Sequence, residues 1–162
     1  MNNVKNLQSG TTAVVALLLQ DLKQLYVAWL GDTQAIISRN EGKVSQLVSP
    51  PHRPNIDSER ERIERMGGFL SQFRVQGILA VSRAIGAKDF KPYVCADPDV
   101  ICLDLDGSED FLLLATDGLW EKVTELEAAS SVYTHLSEQS VRSVKVLLSG
   151  PKSKLNRIAI TD

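Results

Sequence analysis

The sequence predicts an α+β fold in which strands dominate and two or three helices sit between them. Three observations carry that reading. Apolar runs of strand length stop abruptly at an acidic residue beside a glycine, at Gly31-Asp32 and again at Asp117-Gly118. Short polar turns join the early runs into a β-meander. Ser58-Glu59-Arg60-Glu61 and Thr124-Glu125-Leu126-Glu127 both carry the capping-box pattern that opens a helix. A chain of 162 residues can bury one sizeable core, so a single domain over residues 1–162 is expected.

Taken in order, Ser9-Gly10-Thr11-Thr12 leads into the apolar run Ala13 to Leu19, which reads as a strand buried on both faces. Asp21 to Gln24 form a polar turn. Leu25 to Leu30 is the next strand and ends in Gly31-Asp32. Ala35 to Ser38 continues as strand, Asn40-Glu41-Gly42 turns it, and Lys43 to Val48 alternates back. Three prolines make Ser49 to Pro54 a loop. The first capping box opens a short charged helix with a thin apolar stripe of Ile56, Ile63 and Met66, stopped by Gly67-Gly68. Its charges read as a solvated face. Phe69 to Val75 is expected to be extended and Leu79 to Ile85 irregular or weakly helical. Val100 to Leu103 is a strand, and Asp106-Gly107-Ser108 turns into the central strand Phe111 to Ala115. The second capping box starts a helix running to about Leu136, and Ile158-Ala159-Ile160 reads as a last strand.

Composition narrows the function classes. Hydrophobic residues at 43% and charged residues at 23% are ordinary for a globular domain, and a net charge of −2 argues against a nucleic-acid or anionic-membrane surface. Cys95 and Cys102 match no zinc spacing and read as reduced thiols, which predicts a cytoplasmic protein, with the nucleus as the other compartment. The longest apolar run, Ala13 to Leu19, is too short to span a bilayer. No nucleic-acid or membrane partner is expected.

The chemistry points to oxygen donors. Asp117 and Asp32 each stand at the end of an apolar strand, and Glu121 follows one short step after Asp117. Rigidly presented carboxylates suit a hard divalent cation, Mg²⁺ or Mn²⁺. No histidine or cysteine cluster competes for zinc. Asp117-Gly118 is also a common turn dipeptide, with Gly118 allowing the backbone to turn without a Cβ clash and Trp120 anchoring the turn in the core.

The series Ser9-Gly10-Thr11-Thr12-Ala13, Gly31-Asp32-Thr33-Gln34, His52-Arg53-Pro54, Glu61-Arg62-Ile63, Met66-Gly67-Gly68, Arg74-Val75-Gln76-Gly77, Leu79 to Gly86 and Ala115 to Glu121 falls in the order found in the PPM-type (type 2C) metal-dependent serine/threonine phosphatases. The resemblance covers roughly residues 9 to 136. Val27 to Asp32 and Lys91 to Cys95 are most similar to the PAK-directed branch, the partner-of-PIX phosphatases. The resemblance implies a β-sandwich flanked by antiparallel helices, and hydrolysis of phosphoserine and phosphothreonine by a water activated on metal. It implies phosphorylated proteins as substrates and protein kinases as further partners. It assigns Asp117 to the core metals, and Asp32 and Glu121 to an additional, weaker one. Gly118 is grouped with these metal residues.

The departures from the family pattern are specific. The family's phosphate-binding arginine, Glu-Asp pair and Asp-Gly-His motif would lie before Met1, so the chain is expected to be the carboxyl-terminal part of the domain. The closing aspartate falls at Leu155, which cannot bind a metal. Gln76 stands where asparagine is usual, Ala87 where aspartate is usual, and Pro51 replaces the aspartate before the histidine. A catalytically silent relative that binds phosphoproteins without turnover is therefore the alternative.

Other residues carry two readings each. His52 is a general-acid candidate or a turn histidine. Arg74 and Arg83 are bidentate phosphate donors to substrate or structural ion-pair partners. Ser82 has no base in view and is not a nucleophile candidate. Asp104-Leu105-Asp106-Gly107 matches a haloacid-dehalogenase nucleophile motif, but too little chain follows it, and a polar turn is the better reading. Trp29 and Trp120 read as core anchors.

Overall fold

A computed structural model describes residues 9–138, 146–148 and 156–158. In chain order the strands and helices begin with β1 (Gly10–Thr11), β2 (Ala13–Leu19), β3 (Gln24–Leu30), β4 (Gln34–Arg39) and β5 (Val44–Leu47). Helix α1 (Asp57–Arg65) precedes the short strands β6 (Leu70–Ser71), β7 (Arg74–Val75) and β8 (Ile85–Gly86). Then come β9 (Asp99–Asp104), β10 (Glu109–Ala115), α2 (Asp117–Trp120), α3 (Glu125–Glu138), β11 (Val146–Leu148) and β12 (Asn156–Ile158). The expected α+β class holds. The chain divides into two compact units, one from residues 1–13, 30–32 and 51–99, the other from residues 14–29, 33–50 and 100–162.

The second unit is layered. A five-stranded sheet runs β12-β11-β10-β4-β5, and a three-stranded sheet runs β2-β3-β9. Strands β10 and β4 are antiparallel, with Leu112 opposite Ile37 and Leu114 opposite Ala35, while β11 joins β10 in parallel. Because side chains alternate across a strand, Ala35, Ile37, Leu112 and Leu114 face Leu25, Val27 and Trp29 of the smaller sheet. The other face carries Ile36, Phe111 and Leu113, which pack with Ala128 and Ala129 of α3. Thr124 caps that helix as its sequence predicts: its hydroxyl accepts from the Glu127 N–H at 3.3 Å, and the Glu127 carboxylate accepts from Thr124 N–H at 3.0 Å. Trp29 is buried and donates to the Pro50 carbonyl at 2.8 Å, the core anchor expected of it.

Strand β2 departs from the expectation of burial on both faces. Val14, Ala16 and Leu18 pack inward, but Val15 and Leu17 are 63% and 56% exposed. A continuous apolar run encodes a strand; which of its faces is covered depends on the neighbouring layer.

The first unit is built around Ile63, Val75, Ala84, Ala87 and Val94. Helix α1 begins at Asp57, with Ile56 at its N-cap and no side-chain cap bond, so Ser58 lies inside the helix instead of capping it. Ile63 is its fully buried apolar residue; Ile56 and Met66 are exposed, and the expected stripe reduces to one position. Phe69 to Val75, read as one extended stretch, is a hairpin of β6 and β7 turned by Gln72 and Phe73, both at positive φ. Leu79 to Ala84 contains no helix, and Ile85–Gly86 pairs with Gly10–Thr11. Gln76 and Ala87, two of the departures from the family pattern, both sit in the left-handed region at φ 53° and 50°. The strand expected at 158–160 overlaps β12 only at Ile158; Ala159, Ile160 and Leu155 lie outside the described residues.

Candidate functional site

In the second unit, β10 ends in five buried residues, Phe111 to Ala115, and Thr116 at the N-cap redirects the chain into α2. Trp120 fastens this junction by donating its indole N–H to the Ala115 carbonyl at 2.9 Å, while its ring packs beside the Phe111 cluster. Asp117 opens the helix, and the Glu121 N–H donates to the Asp117 carbonyl at 2.9 Å. That i, i+4 relation puts the two carboxylates on one side of the turn, and both residues are exposed. Gly118 is helical, and a Cβ added there would meet nothing nearer than the Thr116 hydroxyl at 3.6 Å. The turn therefore does not require glycine, contrary to the expectation from the dipeptide.

Asp32 belongs to the first unit and follows Gly31, whose φ of 88° only glycine adopts easily. A Cβ on Gly31 would lie 2.1 Å from Thr12 Cγ2 and 3.1 Å from the Arg83 carbonyl oxygen, so the turn is packed as well as bent. His52, 5% exposed, holds it from the other side. The His52 N–H donates to the Gly31 carbonyl at 2.7 Å, and the Gly31 N–H donates to His52 Nδ1 at 3.1 Å.

Behind His52 runs a charged network. His52 Nε2 is 3.0 Å from Asp99 Oδ2, and Arg83 Nη1 is 2.7 Å from Asp99 Oδ1. Arg83 also reaches Glu59 Oε1 through Nη2 at 2.7 Å, and Arg62 Nη2 reaches Glu59 Oε2 at 2.9 Å. Burial of Glu59 raises the pKa of its carboxyl, but the hydrogen bonds from Arg83 and Arg62 outweigh that and bring it to about 2. Asp99 is treated in the same way: partial desolvation pushes it up, and His52 and Arg83 together hold it below the usual range.

Arg83 thus takes the ion-pair role weighed for it, with Nε, Nη1 and Nη2 all engaged. Arg74 is exposed and donates to the Ile78 carbonyl at 2.8 Å. His52 is a buried, network-bound residue, and Ser82 is fully buried. Glu59 and Asp99 were missed by sequence reasoning. Glu59 stands in a charge-rich helix that looks solvated, and Asp99 follows Pro98 with no local pattern to mark it.

The donors Asp117, Glu121 and Asp32 have the hard-oxygen chemistry that Mg²⁺ or Mn²⁺ prefers. Among the described residues, however, no three of His, Cys, Asp and Glu converge as a metal site.

The family model described as Protein phosphatase 2C matches residues 1–155. Protein phosphatase 1F of Homo sapiens is 46% identical over 145 residues, covering 88% of this chain and 31% of the relative. Probable protein phosphatase 2C 59 of Oryza sativa is 44% identical, covering 86% of this chain and 42% of the relative. The crystal structure of serine-threonine phosphatase 2C from Toxoplasma gondii superposes with a TM-score of 0.70 at 25% identity, over 80% of this chain and 48% of that one. The chain therefore spans less than half the length of these relatives, and it belongs to the protein phosphatase 2C family.

Proposed function

We propose that this chain is part of a protein serine/threonine phosphatase that hydrolyses phosphoserine and phosphothreonine on proteins. The observation that carries the reading is the family match over residues 1–155, in which Asp117 opens the helix that follows the buried strand residues Phe111 to Ala115. The family is metal-dependent. Mg²⁺ or Mn²⁺ is proposed as the ion, with Asp117, Asp32 and Glu121 as the carboxylates this chain contributes to a larger donor set. Arg74 is proposed as the arginine that meets substrate phosphate, since its guanidinium is exposed.

The finer reading places the 162 residues as the carboxyl-terminal part of one phosphatase domain of the partner-of-PIX branch, in the cytoplasm, with protein kinases among its partners. The stretches Val27 to Asp32 and Lys91 to Cys95 support the branch, and the free thiols of Cys95 and Cys102 suit a reducing compartment.

The test is hydrolysis of a phosphothreonine peptide by the purified chain, with and without Mn²⁺, beside Asp117→Asn. Metal-dependent turnover lost in the variant supports the reading. A folded protein that binds the peptide without turning it over would identify a binding module instead.

A further inference from the structure

We propose that His52 is a positioning residue: it sets the backbone of the Gly31-Asp32 turn through both polar main-chain groups of Gly31, and Asp99 fixes the imidazole tautomer that makes this possible. The functional weight given to Asp32 rests on the phosphatase reading above; the geometry of the turn does not.

A backbone N–H can only donate, so His52 Nδ1, 3.1 Å from Gly31 N, must accept and carries no proton. The ring proton is then on Nε2, where it is donated to Asp99 Oδ2 at 3.0 Å. The reverse tautomer would aim two protons at each other and leave Asp99 facing a lone pair. The His52 N–H to Gly31 carbonyl bond at 2.7 Å closes the second link of a two-bond clasp. Each further member is itself held. The His52 carbonyl accepts from Ser82 N–H at 3.2 Å, Asp99 is clamped by Arg83, and Arg83 by Glu59 of α1. On the opposite side Thr12 leaves no room for a Cβ on Gly31. The turn that presents Asp32 is thus confined from two sides, and its conformation is coupled to the ion-pair network through one imidazole.

A histidine that merely fills the core would give a different signature from one that works through Nδ1. The test uses the 162-residue chain and two variants. In His52→Asn an amide oxygen stands near the Nδ1 position and can still accept from Gly31. In His52→Gln the amide nitrogen reaches toward the Nε2 position and keeps the Asp99 bond instead. The ¹⁵N shifts of the wild-type imidazole should report an unprotonated Nδ1 and a protonated Nε2 at neutral pH. Gly31 amide exchange should be about tenfold faster in His52→Gln than in His52→Asn, the factor that loss of one hydrogen bond gives. On a phosphothreonine peptide His52→Asn should keep more kcat than His52→Gln, with KM little moved in either.

An Nδ1–H tautomer in the wild type, or equal Gly31 exchange in the two variants, overturns the proposal. The Nδ1–H outcome would overturn it even if a variant fails to fold. Absence of turnover in every protein, with the tautomer and exchange results as expected, would count against turnover by this chain alone and leave the positioning role of His52 standing.

Discussion

Glu59, 3% exposed, lies between the guanidinium groups of Arg62 and Arg83. Replacing it by glutamine leaves two half-buried cations short of a counter-charge, a defect that costs about 3 kcal/mol or more in buried pairs. The folded carboxyl titrates at about 2 against an ordinary 4.5, so between those values the unfolded chain binds the proton first. The stabilisation is therefore complete above pH 4.5 and is lost as pH falls toward about 2. Urea midpoints measured across that window should fall with pH in the wild type and much less in Glu59→Gln; parallel profiles would refute the assignment. Gln76 gives a prediction of the opposite sign. Its φ of 53° suits asparagine better than glutamine, so Gln76→Asn should stabilise by about 0.5–1 kcal/mol, read from the same urea curves. The sequence showed that 76 and 87 depart from the family's usual residues. It could not show why those positions matter, because the sign of φ is set by the hairpin and the strand pairing around them.

At the scale of elements, local chemistry that closes on itself was legible. The α3 capping box involves residues three apart and formed as read. Trp120 anchors the α2 turn through a carbonyl five residues back. The α1 box failed although its letters are equally good, because the helix starts two residues earlier, with its N-cap at Ile56, and turns Glu59 inward toward Arg83, 24 residues away. Strand β2 was identified, but its environment was misjudged. Since Val15 faces solvent, Val15→Thr should change stability by no more than about 0.5 kcal/mol, whereas a fully buried valine would cost well above 1 kcal/mol. Thermal melts of the two proteins separate these cases. Similarly, Phe69 to Val75 carries the β-formers Phe69, Phe73 and Val75 with no glycine or proline to mark a turn, and only the positive φ of Gln72 and Phe73 reveals a hairpin.

At the scale of the whole molecule, a bound metal acts on stability. A ligand present at a hundred times its Kd stabilises a fold by about 2.7 kcal/mol. With no group of three metal-ligating side chains among the described residues, millimolar Mn²⁺ should raise the melting midpoint of this chain by clearly less than that amount. What shift there is should vanish in Asp117→Asn. A full-sized shift would show that further donors complete a tight site.

The sequence by itself determined the fold class, the strand that delivers Asp117, the capping of α3 and, through the order of its motifs, the family. These depend on hydrophobic periodicity and on contacts a few residues long, which the chain carries locally. Only the tertiary structure decided that Glu59 and Asp99 are paired with Arg83, that His52 clasps Gly31, and that β2 shows one face to solvent. Each of those outcomes joins residues 16 to 47 positions apart, or depends on which layer packs on a sheet. Buried charge is stable only beside its partner, so a residue's role there is fixed by what the fold brings to it.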